Sequence, residues 1–86
     1  MSKSAIILYR FEYLHGGVDM NIDYPATLLR IRAELNLSQT QLAEMLGVSF
    51  TSVNRWENGK YQPTKVAKEK IKLICEENNI KPKECN

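Results

Sequence analysis

The sequence predicts an all-α fold, a compact bundle of four to five short helices, preceded by an N-terminal segment that is extended or disordered. Three observations predict it. From residue 24 onward, apolar side chains recur at three- and four-residue spacing. Helix-starting and helix-stopping residues punctuate that pattern at short intervals. A chain of 86 residues also buries too small a core for a large enzyme cleft. The layout divides into an N-terminal extension over 1–22, a helical domain over 23–78 and a C-terminal tail over 79–86.

Within the extension, Ile7, Tyr9, Phe11 and Tyr13 alternate with Leu8, Arg10, Glu12 and Leu14, which suits a strand better than a helix, and His15-Gly16-Gly17 stops it. One strand alone is unstable, so it pairs with a second copy, packs on the helices or stays disordered. Pairing across a two-fold axis would make a dimer. An alternative is that residues 1–19 are translated leader. If Gly16-Gly17 is encoded GGA-GGT, the message carries a ribosome-binding sequence two codons upstream of Met20, where the natural protein would then start. A native species beginning at Met1 or Ser2 by mass spectrometry excludes that origin.

The helices follow in order. Pro25 suits the first helical position, where its missing N–H would be unpaired anyway. Leu28, Ile31, Arg32 and Leu35 share one face, with Leu29 beside it, so helix 1 spans about 25–36, with Asn36 and Leu37 as its connection. Ser38 and Gln41 fit a reciprocal capping box at the start of helix 2, which runs to Leu46 with Leu42, Ala43 and Leu46 inward. Gly47 supplies the left-handed backbone of a helix end. Ser49 caps helix 3, which Gly59 ends near Asn58. Pro63 and Thr64 open helix 4, which reaches about Asn78 with Val66, Ala67, Ile71, Ile74 and Cys75 as its apolar stripe. The tail, with Lys81 and Pro82, reads as frayed or turned.

Composition narrows function by exclusion. The chain is 43% hydrophobic and 26% charged with a net charge of +2, so it is an ordinary globular sequence whose total charge neither requires nor forbids a nucleic-acid partner. Cys75 shares a face with Ile71 and Ile74 and reads as a half-buried reduced thiol, while Cys85 falls in the tail. No histidine stands near them, so no metal site is expected. His15, the only histidine, has no serine, cysteine or carboxylate partner in a catalytic order, and there is no glycine-rich phosphate loop. No enzyme activity and no cofactor is expected. The apolar run Ala5 to Tyr9 is far shorter than the roughly 20 residues a bilayer requires. It lacks a secretory cleavage pattern, so a cytoplasmic, nucleoid-associated protein is expected.

Three residues set the angle between helices 2 and 3. Ala43 is small enough for close approach, Gly47 allows the turn, and Val53 is a branched plug facing back toward Ala43. Their spacing fits two helices crossing at roughly 90–120° through a short turn. With Val53 and Trp56 inward, helical spacing leaves 50, 51, 54, 55 and 58 on the opposite side.

The stretches Leu35-Asn-Leu-Ser-Gln-Thr-Gln-Leu-Ala-Glu-Met-Leu-Gly-Val-Ser49 and Val53-Asn-Arg-Trp-Glu-Asn-Gly-Lys60 resemble the Cro/phage-repressor, or XRE-like, helix-turn-helix family. The resemblance covers roughly Leu28 to Ile74 and implies a lambda-repressor-like bundle, operator binding commonly as a homodimer, and transcriptional regulation. It implies phosphate contacts from the start of helix 2, at Ser38 and Gln39, and from the loop after helix 3, at Asn58 and Lys60. It implies base contacts from Phe50, Thr51 and Arg55, with Asn54 adjacent. It also implies an ion pair between Arg32 and Glu57, which is structural, as are Ala43, Gly47, Val53 and Trp56. Phe50 departs from the glutamine-type residue often found in phage repressors; its alternative role is packing on the end of helix 2.

In chemical terms Arg55 suits bidentate pairing with guanine and Asn54 with adenine, while Phe50 and the Thr51 methyl suit a thymine methyl. Lys65, Lys68, Lys70 and Lys72 read as a solvated, mildly basic face of helix 4. The expected function is sequence-specific binding of double-stranded operator DNA by a small bacterial or phage-derived regulator. One alternative keeps the DNA contact but makes the chain an antitoxin, a restriction–modification controller or the targeting module of a split DNA-modifying enzyme. The other is a protein-binding helical module without DNA contact.

Overall fold

The computed structural model describes residues 21–85, and the expectations for residues 1–20 lie outside that range. Among the described residues four helices follow in order: α1 Tyr24–Leu35, α2 Gln39–Leu46, α3 Phe50–Glu57 and α4 Lys65–Glu77. Among the described residues there is no strand, only a single antiparallel bridge between Ile22 and Glu84. The fold is all-α, as the periodicity predicts.

Each helix starts on a side chain that accepts from its own first turn. Asp23 accepts from Ala26 N–H, Ser38 from Gln41, Ser49 from Ser52 and Thr64 from Ala67. Such caps satisfy first-turn amides that have no intrahelical acceptor. Ser38 and Gln41 form the expected reciprocal box, with Gln41 Oε1 accepting from Ser38 N–H at 2.8 Å. At α1 the cap is Asp23, which places Tyr24 first and Pro25 second; proline is tolerated at either site because neither amide has an acceptor within the helix.

The four helices also end alike. Asn36, Gly47, Gly59 and Asn79 take positive φ of 58°, 69°, 76° and 57°. The following amide then donates back five residues: Leu37 to Arg32, Val48 to Ala43, Lys60 to Arg55 and Ile80 to Cys75, at 2.8–3.0 Å. This is the closure in which a left-handed residue lets the chain satisfy the last carbonyls. Glycine does it without strain, and asparagine is the usual substitute.

One core unites the helices. Leu28, Ile31, Leu42, Leu46, Val53, Ile71 and Cys75 are almost wholly enclosed, with Ala43, Trp56 and Ala67 beside them. Burial pushes the Cys75 thiol up to about 11, against a small opposing effect of the Arg30 charge. Val66 departs from the predicted stripe, being 62% exposed. It precedes Ala67 by one residue and is therefore turned about 100° away from it. Leu29 likewise faces solvent. The lysines of α4 are not one solvated face: Lys72 is buried, and Lys70 Nζ donates to the Leu46 carbonyl at 3.2 Å, capping the C-terminal end of α2.

The tail is turned rather than frayed. Ile80 is buried in the core, and the chain then runs back along the start of α1. Asp23 N–H donates to the Lys83 carbonyl at 2.8 Å and Cys85 N–H to that of Asn21 at 2.6 Å. Arg30 Nη1 donates to the Lys81 carbonyl at 2.8 Å. Thr27, fully buried, has its hydroxyl satisfied by Lys83, accepting from its N–H at 3.0 Å and facing its carbonyl at 3.4 Å.

Candidate nucleic-acid interface

The interface candidate is built on α2 and α3, and its angle rests on the three predicted residues. Ala43 and Val53 are buried at the crossing, and Gly47 makes the turn at a φ of 69°. A Cβ at Gly47 would meet Lys70 Nζ at 3.3 Å, so space as well as backbone conformation favours glycine there. Trp56, 6% exposed, closes the inner face of α3.

The outer face of α3 is open. Phe50, Thr51, Arg55 and Asn58 are exposed and Asn54 is half-buried. Phe50 is 50% exposed and presents half its surface to solvent. Thr51 and Arg55 follow on the same side at four-residue spacing. The exposed Lys60 side chain lies beyond Gly59, and its backbone is tied to α3 by the Lys60 N–H to Arg55 carbonyl bond of 3.0 Å. Ser38 and Gln39 stand at the amino end of α2.

A polar chain joins this face to the bundle. Arg32 and Glu57 form a two-pronged ion pair, with Nε to Oε2 at 2.8 Å and Nη2 to Oε1 at 3.0 Å. The Glu57 side chain is 4% exposed and that of Arg32 25%. Donation to the Glu57 carboxylate, above all, raises the Arg32 pKa, so the guanidinium keeps its charge. Gln39 Nε2 then donates to Glu57 Oε1 at 2.7 Å. Gln39 Oε1 faces Asn54 Nδ2 at 3.5 Å, and Asn54 Oδ1 accepts from Asn58 Nδ2 at 3.2 Å. Glu57 is thus the hub that ties α1, α2 and α3 together, and Gln39 and Asn54 are oriented residues rather than free ones.

The same arrangement holds an aromatic residue that sequence reasoning passed over. Arg55 Cζ lies 5.2 Å from the centroid of the Tyr61 ring, although Tyr61 itself is 57% exposed. The only sequence signal is an aromatic residue just past Asn-Gly-Lys, and spacing alone does not say which side chain it meets. Among the described residues, no group of three His, Cys, Asp or Glu is placed to hold a metal ion. Also among them, no helix is long and apolar enough to cross a membrane.

Comparison with known proteins agrees with the geometry. A stretch of 42 residues is 43% identical to the HTH-type transcriptional activator BcrR of Enterococcus faecalis, covering 49% of this chain but 21% of that protein. The match therefore spans about a fifth of the relative's length. No solved structure matches significantly. A family model described as helix-turn-helix matches residues 28–84, which takes in all of α2, α3 and α4 and the tail as far as Glu84. With that match laid over the capped helices and the Gly47 turn, the chain belongs to the helix-turn-helix family, in its XRE-like, Cro/phage-repressor class.

Proposed function

We propose that the chain binds double-stranded DNA as a transcriptional regulator, with α3 lying in the major groove. The observation that carries this reading is the open outer edge of α3, with Phe50, Thr51 and Arg55 exposed beside the amino end of α2, in a chain of the helix-turn-helix family. Phosphates on one side of the groove meet the first turn of α2, where Ser38 and Gln39 lie and where unpaired amides and the helix dipole favour anions. Phosphates on the other side meet Asn58 and Lys60. These contacts hold register, and base edges supply specificity.

Arg55 pairs with guanine O6 and N7, and Phe50 and the Thr51 methyl meet thymine methyls. Asn54 is the costliest reader: pairing both amide atoms with adenine surrenders its contacts to Asn58 and Gln39. A module this small makes few contacts, so a two-fold dimer on half-sites about 34–36 Å apart supplies useful affinity.

Selection of bound sites from random duplex DNA at two salt concentrations tests the reading. Arg55→Ala is expected to relax preference at one base position by about 1–3 kcal/mol. Lys60→Ala is expected to weaken all sequences alike and reduce the salt slope by about one. No enrichment, or variants that leave DNA binding unchanged, favours the protein-binding module instead.

A further inference from the structure

We infer that Tyr61 is a positioning residue for base recognition: its ring holds the Arg55 guanidinium in the plane from which it reads a guanine. The inference rests on the DNA-binding reading above and adds a specificity determinant to it. Tyr61 is a large aromatic with 57% of its surface exposed, so burial does not explain its placement. Backbone bonds do. Gly59 N–H donates to the Trp56 carbonyl at 3.1 Å and Lys60 N–H to the Arg55 carbonyl at 3.0 Å, folding the chain back over the last turn of α3. Pro63, two residues further on, is buried. The ring is thereby delivered against the side chain of Arg55, at 5.2 Å from Cζ to centroid, inside the range of an attractive cation–π contact.

The geometry of the two contacts is compatible. A guanidinium stacks through its face and donates hydrogen bonds through its edge, in the molecular plane. A contact made through that face leaves the donor fork intact for guanine. Among the described residues no carboxylate pairs with Arg55, so no competing contact holds that fork. An unrestrained exposed arginine loses much rotamer freedom on binding, and a side chain already held on a ring loses less.

The test uses the full chain on a duplex chosen by selection, and on the same duplex altered at the base pair whose preference Arg55→Ala relaxes. Dissociation constants are read by fluorescence anisotropy, with circular dichroism melting as the folding control. Tyr61→Phe keeps the ring and is expected to bind both duplexes within a factor of about two of wild type. Tyr61→Leu is expected to lose about two- to fivefold on the selected duplex, with discrimination falling by the same factor. Its affinity for the altered duplex and its salt slope stay unchanged. On the Arg55→Ala background, Tyr61→Leu is expected to have no further effect.

Equal losses in Tyr61→Phe and Tyr61→Leu would make the phenol a phosphate ligand and overturn the inference. A Tyr61→Leu effect that is absent, uniform across duplexes or additive with Arg55→Ala overturns it as well. If Arg55→Ala itself leaves discrimination intact, the reading of α3 fails along with it; if only Tyr61→Leu is silent, the reading of α3 stands and this inference alone falls.

Discussion

Replacing Arg32 by methionine isolates the ion pair that joins α1 to the end of α3. The carboxylate of Glu57 is 4% exposed and receives two hydrogen bonds from Arg32, at 2.8 and 3.0 Å, and one from Gln39, at 2.7 Å. Arg32→Met leaves that charge enclosed with the Gln39 amide alone. Stripping one partner from a buried pair costs about 3–5 kcal/mol, because the remaining charge is uncompensated. Arg32 itself is a quarter exposed and water reaches its side of the pair, which points to the lower end, about 3 kcal/mol. For a domain of this size that corresponds to a fall in melting temperature of roughly 12–24 °C.

Urea unfolding followed by circular dichroism at 222 nm measures the cost. Arg32→Met/Glu57→Met, which leaves no buried charge, is expected to be more stable than Arg32→Met alone, since apolar replacement of a buried pair is often nearly neutral. A single-variant cost below about 1 kcal/mol, the size of an exposed surface pair, would mean that Glu57 is not an enclosed charge held by Arg32. A double variant no more stable than the single would mean the same.

Four further expectations concern the bundle. Ile80→Ala should cost about 2–4 kcal/mol in the same unfolding assay, because Ile80 is 6% exposed within the core; a loss under about 0.5 kcal/mol would mean the tail is not part of the folded unit. Gly47→Ala should cost about 1–2 kcal/mol, chiefly from the left-handed backbone, with Lys70 Nζ yielding slightly to the new methyl, and an unchanged midpoint would contradict this. Cys75, whose thiol is raised to about 11, holds its proton longer folded than unfolded between about pH 9 and 11. Its contribution to stability is therefore complete below pH 9 and declines as pH rises through that window. Cys75→Ala should flatten the decline. At neutral pH, Ellman's reagent should label exposed Cys85 quickly and Cys75 only on unfolding.

Local chemistry made much of this molecule legible in the sequence. A cap needs a side-chain oxygen two or three residues before the amide it satisfies, and a left-handed helix end needs a glycine or asparagine at one position. Both conditions are met by residues next to one another, so Ser38, Ser49, Thr64, Gly47 and Gly59 are readable without tertiary information. Helical period does the same for the core, where Leu28, Ile31, Leu42, Leu46, Val53 and Trp56 all face inward. The period misplaced Val66 because a stripe has edges that spacing blurs, and the local rule passed over Asn79, whose left-handed turn sends Ile80 into the core.

Tertiary structure alone decided what depends on the crossing of helices. Gln39, Asn54 and Glu57 meet across 15 and 18 residues of sequence, Arg32 and Glu57 across 25, and Thr27 and Lys83 across 56. The Arg32–Glu57 pair could be anticipated only from the resemblance to other proteins. Tyr61 is only six positions from Arg55, yet a reversal of the chain at Gly59 determines that the two touch. Periodicity assigns each residue to a face of its own helix. Which faces then meet is set by interhelical angle and packing, which no run of neighbouring residues encodes.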